Sequence, residues 1–521
     1  MASLAGPVRI ARAPSRRPPP KLAGSVAPHR DDDRKTWRLA IAVMVGAALA
    51  RLIFAARTPL FPDETYYWEW SRHLAAGYFD HPPAIALLIR AGTTLLGDTS
   101  LGVRLFPVMI GAIAIGVTSL SARDLAGDRA ALRVAVIFAV MPLAATGLVL
   151  ATPDVPLLFA CAVSVAAVMR AVGAPAGSRN SLRWWLLFGA AIGVALSSKY
   201  TAVLIPAGVA AAICTGPSLR HRFREPGPYL AAIVAIALFA PVLVWNANHD
   251  WVSLRFQLGH GFGRPAPGAM LPRELSLIGG QILLVSPIIF ALAAAVLRRT
   301  LARDGDSRRR VLAMITAVTF AFFFFTALRH SVEPNWPSPA YISATMLLAV
   351  APIGGRMRRW SARGCWLALA MTVAIYAHVW HPFLPISPRS DPIARAYGWD
   401  ETAARLLAAA PRDAWLATDR YQESSELAFN LKGHPTVFSL NLGGRANEYD
   451  LWPRFPDRAK HGDALVVLLD DTAADHPVAE RLRPHFESMA RGDTIALRRG
   501  SSVTQLRRIY IMRGWRGTWP Q

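Results

Sequence analysis

Long apolar runs separated by short basic loops occupy the chain up to about residue 381. Eleven of them approach the roughly 20 residues that a helix needs to cross the hydrocarbon core of a bilayer. They lie at 37–56, 101–121, 131–150, 154–170, 184–198, 200–216, 228–247, 276–297, 311–328, 337–353 and 364–381. The pattern predicts a mainly α-helical, polytopic membrane bundle of about eleven spans, comprising residues 37–381.

Both flanks of this bundle have a different pattern. Residues 1–36 are rich in Pro, Arg and Ala, which is typical of a disordered arm. Residues 382–521 alternate in shorter apolar and polar stretches and predict a small α/β domain. Its predicted strands are Asp413–Thr418, Thr436–Leu440 and Ala464–Leu469, and its predicted helices are Ile393–Ala410, Gln422–Leu431 and Ala474–Ser488.

The basic residues are distributed unevenly between the loops. The formal net charge is +23, and the arginines concentrate in alternate loops. These loops are 122–130, 171–183, 217–227, 298–310 and 354–363. By the positive-inside rule they are cytoplasmic, so the arm is cytoplasmic, the number of spans is odd and the 382–521 domain lies outside. The positive charge therefore indicates membrane topology and not a nucleic-acid partner.

Several common catalytic and binding motifs are missing. The chain has no glycine-rich phosphate loop, dinucleotide fingerprint or HExxH sequence, which argues against a nucleotide-sugar donor. Its three cysteines, Cys161, Cys214 and Cys365, each lie in an apolar run and predict small core residues, without disulfide or metal-site spacing.

The first outer loop, residues 57–100, is too long for a simple connection. Pro62 and Asp63 suit a helix start, and capping of that helix is one interpretation of Asp63 and Glu64. Three aromatic residues that follow are candidate interfacial anchors: Tyr66, Trp68 and Trp70. The apolar segment 84–96 is too short to span and is expected on the membrane surface. Acidic motifs above such a helix suit an enzyme that acts on a lipid-borne substrate.

The stretch PDETYYWEWSRHLAAGYFDHPPAIALLIR resembles the first external loop of GT-C membrane glycosyltransferases. More narrowly, it resembles the bacterial family related to protein O-mannosyltransferases and lipid A aminoarabinose transferases. Further resemblances are Thr152-Pro153-Asp154, Glu333-Pro334-Asn335-Trp336-Pro337, Tyr421–Phe429 and Arg445–Trp452, so the likeness begins near residue 37. The aminoarabinose transferases have Lys before the Pro-Pro pair, where this chain has His81, which is only partly cationic near neutral pH.

The resemblance implies a donor sugar linked to a polyprenyl phosphate, whose lipid phosphate must be stabilised as it leaves. It implies Asp63 as general base or acceptor-orienting carboxylate, with Glu64 and Asp154 as support, or as ligands if a divalent metal binds. Asp154 also suits the N-cap of its span. The expected substrate-binding residues are Tyr66, His81, Lys199, Arg255, His260, Arg329, His330 and Glu333.

Lys199 and Arg329 have other interpretations, and for Arg329 this is local pairing with Glu333. Lys199 sits between two apolar runs on the predicted outer side, where a lysine can also extend its amine to the interface without a functional role. Arg255 and His260 belong to the loop 248–275, rich in Gly and Pro, which is expected to form a flexible cover.

The sequence favours an inverting glycosyltransferase on the outer face of the bacterial cytoplasmic membrane. Its acceptor would be a glycolipid, lipid A or polysaccharide, or a protein. The alternatives are a transporter or flippase of a lipid-linked substrate and a non-catalytic envelope assembly subunit. Transport usually requires polar groups near the bilayer midplane, and the predicted spans have almost none, so interfacial catalysis is favoured.

Overall fold

The computed structural model describes residues 30–262, 270–303, 305–352, 354–471 and 476–520. The helices up to residue 380 are α1 (Arg30–Arg57), α2 (Pro62–Arg72), α3 (Ala84–Leu96), α4 (Ser100–Ala126), α5 (Asp128–Val140), α6 (Pro142–Gly147), α7 (Asp154–Gly173), α8 (Arg179–Leu196), α9 (Leu204–Thr215), α10 (Gly227–Asn248), α11 (Val252–Phe262), α12 (Met270–Val285), α13 (Pro287–Arg303), α14 (Ser307–Ala327), α15 (Ala340–Val350) and α16 (Gly355–Trp380). The predicted arm lies outside the described residues up to residue 29, and α1 begins inside it.

Six of the described helices are long and apolar enough to cross a membrane, so the chain is a multi-pass membrane protein. They lie within α1, α4, α7, α10, α14 and α16. A bent pair, α12 and α13, passes the same test together and raises the number to seven. The predicted number of eleven spans is not confirmed, because several predicted runs form shorter or broken helices.

Proline breaks two of the predicted runs. The run 131–150 divides at Met141–Pro142 into α5 and α6, and the run 276–297 divides at Ser286–Pro287 into α12 and α13 with a bend of 107°. The residue before a proline is disfavoured in the helical region of backbone space. Met141 is accordingly extended. Ser286 also leaves the helical region, but with a φ of 91°, which residues other than glycine rarely adopt.

Helix α7 forms the centre of the membrane bundle. Its apolar residues surround the whole helix, and 83% of its most apolar window is buried, against 22% for α1. It packs between α4 and α8. Small residues allow close approach elsewhere: a Cβ added at Gly189 of α8 would lie 2.2 Å from the Ala231 carbonyl oxygen of α10. Cys161 of α7 is buried, whereas Cys214 is exposed, which corrects its predicted core position.

The C-terminal part contains one mixed sheet. Its elements are α17 (Trp399–Ala409), β1 (Trp415–Thr418), α18 (Tyr421–Asn430), β2 (Val437–Ser439), α19 (Phe455–Arg458), β3 (Leu465–Asp470), α20 (Pro477–Leu482), β4 (Phe486–Arg499) and β5 (Ser502–Trp515). The strand order is β2-β1-β3-β5-β4, with β1 parallel to β2 and β3 and the last two strands antiparallel. The predicted mainly helical fold with a small C-terminal α/β part is confirmed at this level.

The hairpin β4–β5 has no counterpart in the sequence prediction. The predicted helix 474–488 ends early, because α20 stops at Leu482 and β4 begins at Phe486. Strand β4 has the sequence FESMARGDTIALRR, in which charged and glycine residues interrupt the apolar alternation. Among the described strands, β4 pairs only with β5. This pairing, and not the local sequence pattern, makes residues 486–499 a strand.

The first loop packs directly against the C-terminal part. Helix α2 contacts α18, and a shared apolar cluster joins them. Trp68 and Trp70 are fully buried and Tyr66 is 2% exposed, so these residues are not interfacial anchors as predicted. They instead pack the loop against the C-terminal part, so α18 covers one face of α2.

Candidate active site

Glu64 fixes the start of α2. Its carboxylate accepts hydrogen bonds from the backbone N–H of Phe61 at 3.0 Å and of Ala151 at 2.8 Å. The guanidinium of Arg104, on α4, donates from Nε to Glu64 Oε1 at 2.7 Å and from Nη2 to Oε2. Both side chains are at most 1% exposed. Glu64 therefore serves as an internal anchor, and neither of its oxygens remains for a substrate or a metal.

Arg104 is a functional residue that the sequence interpretation missed. Beyond Glu64 it donates to the carbonyl oxygens of Ala55, Thr58 and Pro59, at 2.8–3.1 Å, where α1 ends. It therefore joins α1, α2 and α4. The available signal was a charge four residues inside an otherwise apolar run, which is costly in a membrane unless it is paired.

Asp63 points away from this buried pair. Successive helical residues differ by about 100° around the axis, so Asp63 and Glu64 face different sides of α2. The Asp63 side chain is exposed, and its Oδ1 accepts from Nε2 of Gln422, on α18, at 2.7 Å. Within the described residues its second oxygen accepts no hydrogen bond. Asp63 is the carboxylate of the predicted catalytic set that is open to a substrate.

Asp154 brings three separate sequence motifs together. It is the first residue of α7, and it is 7% exposed. Its Oδ1 accepts from Nζ of Lys199 at 2.8 Å, and its Oδ2 accepts from Nδ2 of Asn335 at 2.8 Å. The Lys199 ammonium also lies 5.9 Å from the Trp336 ring centre. Lys199 is therefore buried in an ion pair, and the alternative in which it extends to the interface is wrong.

The buried Tyr67 hydroxyl lies within electrostatic reach of both Asp63 and Asp154. Burial raises the pKa of its hydroxyl well above the ordinary value, and the negative charges of Asp63 and Asp154 raise it further. Tyr421 adds to this rise, and the positive charge of Arg445 opposes it. These groups therefore all act on one buried hydroxyl, which stays protonated and can donate a hydrogen bond at neutral pH.

The C-terminal part supplies Arg445 to the same region. The Arg445 guanidinium pairs with Oδ1 of Asp80, from the Asp-His-Pro-Pro motif, and lies over the rings of Phe256 at 4.6 Å and Tyr421 at 5.7 Å. The Tyr66 hydroxyl donates to Asp80 Oδ2 at 2.7 Å. Arg445 is half-exposed. The sequence offers the stretch Arg445–Trp452 only as a family resemblance, and it predicts no site role for Arg445.

Glu448, three residues after Arg445, joins the C-terminal part to the first outer loop. Its backbone N–H donates to the Tyr66 hydroxyl at 2.8 Å, and its carboxylate accepts from the Phe79 backbone N–H at 2.6 Å. Burial raises the pKa of the Glu448 carboxyl to about 8. The predicted binding role of Tyr66 changes accordingly, because this buried hydroxyl is occupied by Asp80 and Glu448.

The remaining predicted binding residues lie on several other elements of the chain. His81 is half-buried, with its ring 6.4 Å from that of Tyr67. Arg255 is exposed on α11, a helix within the predicted flexible loop; the side chain of His260 and residues 263–269 lie outside the described part of the chain. Arg329 lies 5.7 Å over the Phe325 ring.

His330 and Glu333 follow α14, as Arg329 does. His330 is half-buried, and its backbone N–H donates to the Thr326 carbonyl oxygen at 2.9 Å. Glu333 is exposed, two residues before the Asn335 that reaches Asp154. Across the described residues, no group of three His, Cys, Asp or Glu side chains could hold a metal ion. Glu64 and Asp154, which were expected as support or as ligands if a divalent metal binds, are paired with Arg104 and Lys199.

Three comparisons bear on this arrangement. Residues 80–245 match the family described as Dolichyl-phosphate-mannose-protein mannosyltransferase. The lipid A galacturonosyltransferase RgtD of Rhizobium johnstonii is 28% identical over 60% of this chain and 64% of its own length. The undecaprenyl phosphate-alpha-4-amino-4-deoxy-L-arabinose arabinosyl transferase of Pseudomonas paraeruginosa is 30% identical over 39% of each chain. The crystal structure of ArnT from Cupriavidus metallidurans bound to undecaprenyl phosphate superposes with a TM-score of 0.63 at 15% identity, over 92% of this chain and 99% of ArnT.

The chain is thus similar in sequence to these membrane sugar transferases and similar in fold to ArnT. The resemblance predicted from the loop motif is thereby confirmed, and the match to ArnT over nearly the whole chain confirms the fold. The sequence matches span less than two thirds of the length of the two curated relatives, 64% and 39%.

Proposed function

We propose that this protein transfers a sugar from a polyprenyl-phosphate donor to a lipid A-type glycolipid, with inversion at the sugar carbon. Two relatives are named for lipid A galacturonic acid transfer and for an undecaprenyl phosphate-linked arabinose donor, and ArnT was solved with undecaprenyl phosphate bound. The observation that carries the proposal is the exposed Asp63 carboxylate, held by Gln422, together with Arg445, which lies over the ring of the adjacent Tyr421.

In this proposal Asp63 acts on the acceptor. Its free oxygen would take the proton of an acceptor hydroxyl, or orient an acceptor phosphate, which needs no deprotonation. The hydrogen bond from Gln422 to its other oxygen holds the carboxylate in one orientation. Inversion requires the acceptor to attack from the face of the sugar opposite to the lipid phosphate.

Cations beside Asp63 would stabilise the leaving phosphate. Arg445 is half-exposed, and its aromatic neighbours and Asp80 restrict its position. Lys199 is held by Asp154, and His81 lies against Tyr67. Fixed positive groups in a partly dry site stabilise developing negative charge more strongly than mobile groups in water.

The proposed orientation in the bacterial cytoplasmic membrane follows the arginine distribution. With the basic loops on the cytoplasmic side, the N-terminus is cytoplasmic, while α2 and the sheet of residues 415–515 are on the outer face. An odd number of crossings, of which eleven was the sequence estimate, places residues 382–521 as an extracytoplasmic domain.

The proposal is tested by sugar transfer with purified protein in detergent, radiolabelled polyprenyl-phosphate sugars and lipid A. Galacturonic acid and aminoarabinose donors are compared, each with and without a chelator of divalent metals. Asp63→Asn is expected to lose transfer while melting like the wild type, and Asp413→Asn, an equally exposed aspartate, serves as the matched control. Full transfer by Asp63→Asn would contradict its assigned role, and no transfer of any sugar by the wild type would bring back a transporter.

A further inference from the structure

A groove lies between α5 and α16 on the membrane-facing side of the bundle, away from the candidate active site. Helix α4 begins beside that site and has 27 residues, a length of about 40 Å. Helix α5 starts two residues after α4 ends, so its first turns lie at the opposite end of the bundle. The groove begins there and encloses about 420 Å³.

Two arginines form the open end of the groove. Arg133 comes from the second turn of α5 and Arg358 from the first turn of α16. Arg133 donates one hydrogen bond, from Nη1 to the Ala349 carbonyl oxygen at 2.9 Å, which fixes its position and leaves its other N–H groups available. Among the described residues, no carboxylate pairs with either guanidinium. The mouth of the groove therefore carries two uncompensated positive charges.

The rest of the groove is apolar and runs along the helices into the bilayer. From Arg358 to Leu369 the lining of α16 rises about 16 Å, which is close to the thickness of one leaflet. Trp366, on the same lining, is 72% exposed and faces the lipid side. Near the end of the lining at Val140, the Thr372 hydroxyl donates to the Val140 carbonyl oxygen at 2.7 Å and joins α16 to α5. The groove thus has the length of an acyl chain.

We propose that this groove binds one phospholipid with an anionic headgroup, its phosphate between Arg133 and Arg358 and one acyl chain against Leu369 and Val140. Basic pockets between membrane helices on the cytoplasmic side attract such headgroups. A zwitterionic headgroup is bound less well, because its amine is repelled by the same two arginines. The site lies in the leaflet opposite to the proposed chemistry, so it is independent of the proposed sugar transfer.

The test is native mass spectrometry of the full chain, titrated separately with phosphatidylglycerol and phosphatidylcholine. Phosphatidylglycerol is expected to bind more tightly, and the double variant Arg133→Gln/Arg358→Gln is expected to lose about tenfold in its affinity. The matched control is Arg356→Gln/Arg359→Gln, which removes two exposed charges from the same helix without touching the groove. Equal affinity for both lipids, or equal losses in both double variants, would overturn the proposal.

Cys365 provides a second measurement on the wild-type protein. It lines the groove and is partly buried, whereas Cys214 is exposed on α9. Phosphatidylglycerol is expected to slow alkylation of Cys365 at least severalfold and to leave Cys214 unchanged, whereas phosphatidylcholine or inorganic phosphate should protect neither. Protection by phosphatidylcholine to the same extent, or a dimer mass that accounts for the protection without lipid, would contradict the assigned occupant.

Discussion

The buried pair between Glu64 and Arg104 allows a sharp test of structure against chemistry, because Glu64 was first predicted to be catalytic. Glu64→Gln keeps the shape of the side chain and one acceptor oxygen, but it leaves the Arg104 charge buried and uncompensated. Both side chains are at most 1% exposed, so water cannot screen this charge. Removing one partner of such a pair costs about 3–5 kcal/mol.

Glu64→Gln retains one amide oxygen, so its cost should lie at the lower end of this range. It can still accept from the N–H of Phe61 or of Ala151, and Arg104 keeps its carbonyl partners near the end of α1. We therefore expect a loss of about 3 kcal/mol in the free energy of unfolding, which lowers the folded-to-unfolded ratio by roughly a hundredfold or more.

The assay is thermal unfolding in detergent, together with sugar transfer well below the melting temperature. Glu64→Gln is expected to melt markedly lower but to retain transfer in its folded fraction. Glu69→Gln is the matched control on the same helix: its partner Arg72 is 29% exposed, so its loss should be about 1 kcal/mol or less. Wild-type melting of Glu64→Gln combined with lost transfer would refute the anchoring role and return Glu64 to the chemistry.

Three further predictions concern Arg445, Lys199 and Glu448. Arg445→Gln should lower kcat/KM at least tenfold, and Arg445→Lys should restore only part of the activity. Because Asp80 is 6% exposed and keeps the Tyr66 hydroxyl as a partner, Arg445→Gln should also lower the free energy of unfolding by about 1–3 kcal/mol. Lys199→Met should cost about 3 kcal/mol in the free energy of unfolding, because the buried Asp154 carboxylate keeps only Asn335 as a hydrogen-bond partner, and adding Asp154→Asn should recover most of that loss. Burial raises the pKa of the Glu448 carboxyl to about 8, so between about pH 4.5 and pH 8 the folded protein keeps a proton that the unfolded chain has released. The free energy of unfolding should therefore fall as the pH rises through this range. Melting curves of Glu448→Gln should show a smaller fall. Equal pH dependence of the two proteins would remove Glu448 as its source.

The C-terminal part does more than brace the membrane part. It places Gln422 on Asp63, Arg445 on Asp80 and the Glu448 N–H on Tyr66. Each of these contacts joins residues more than 350 positions apart in the chain. The site therefore forms only when the two parts are packed together.

The sequence alone determined the membrane bundle, the unusual first loop and the presence of a small C-terminal sheet. These features depend on local composition. Apolar runs form helices in a bilayer, and the distribution of basic residues predicts which loops are cytoplasmic. The helix Ala84–Leu96 and the strand positions near Trp415, Val437 and Leu465 follow for the same reason. Where proline broke a run, the pattern overestimated the length of a helix.

Only the tertiary structure decided how the acidic residues divide their roles. In the sequence Asp63 and Glu64 are neighbours of the same kind, and only the packing of α4 against α2 places Arg104 on one of them. The same holds for Asp154, whose partner Lys199 is 45 residues away, and for Arg445, which reaches the loop from the far end of the chain. Such charge pairs form where segments that are distant in the chain pack together and exclude water. This packing cannot be read from any single segment.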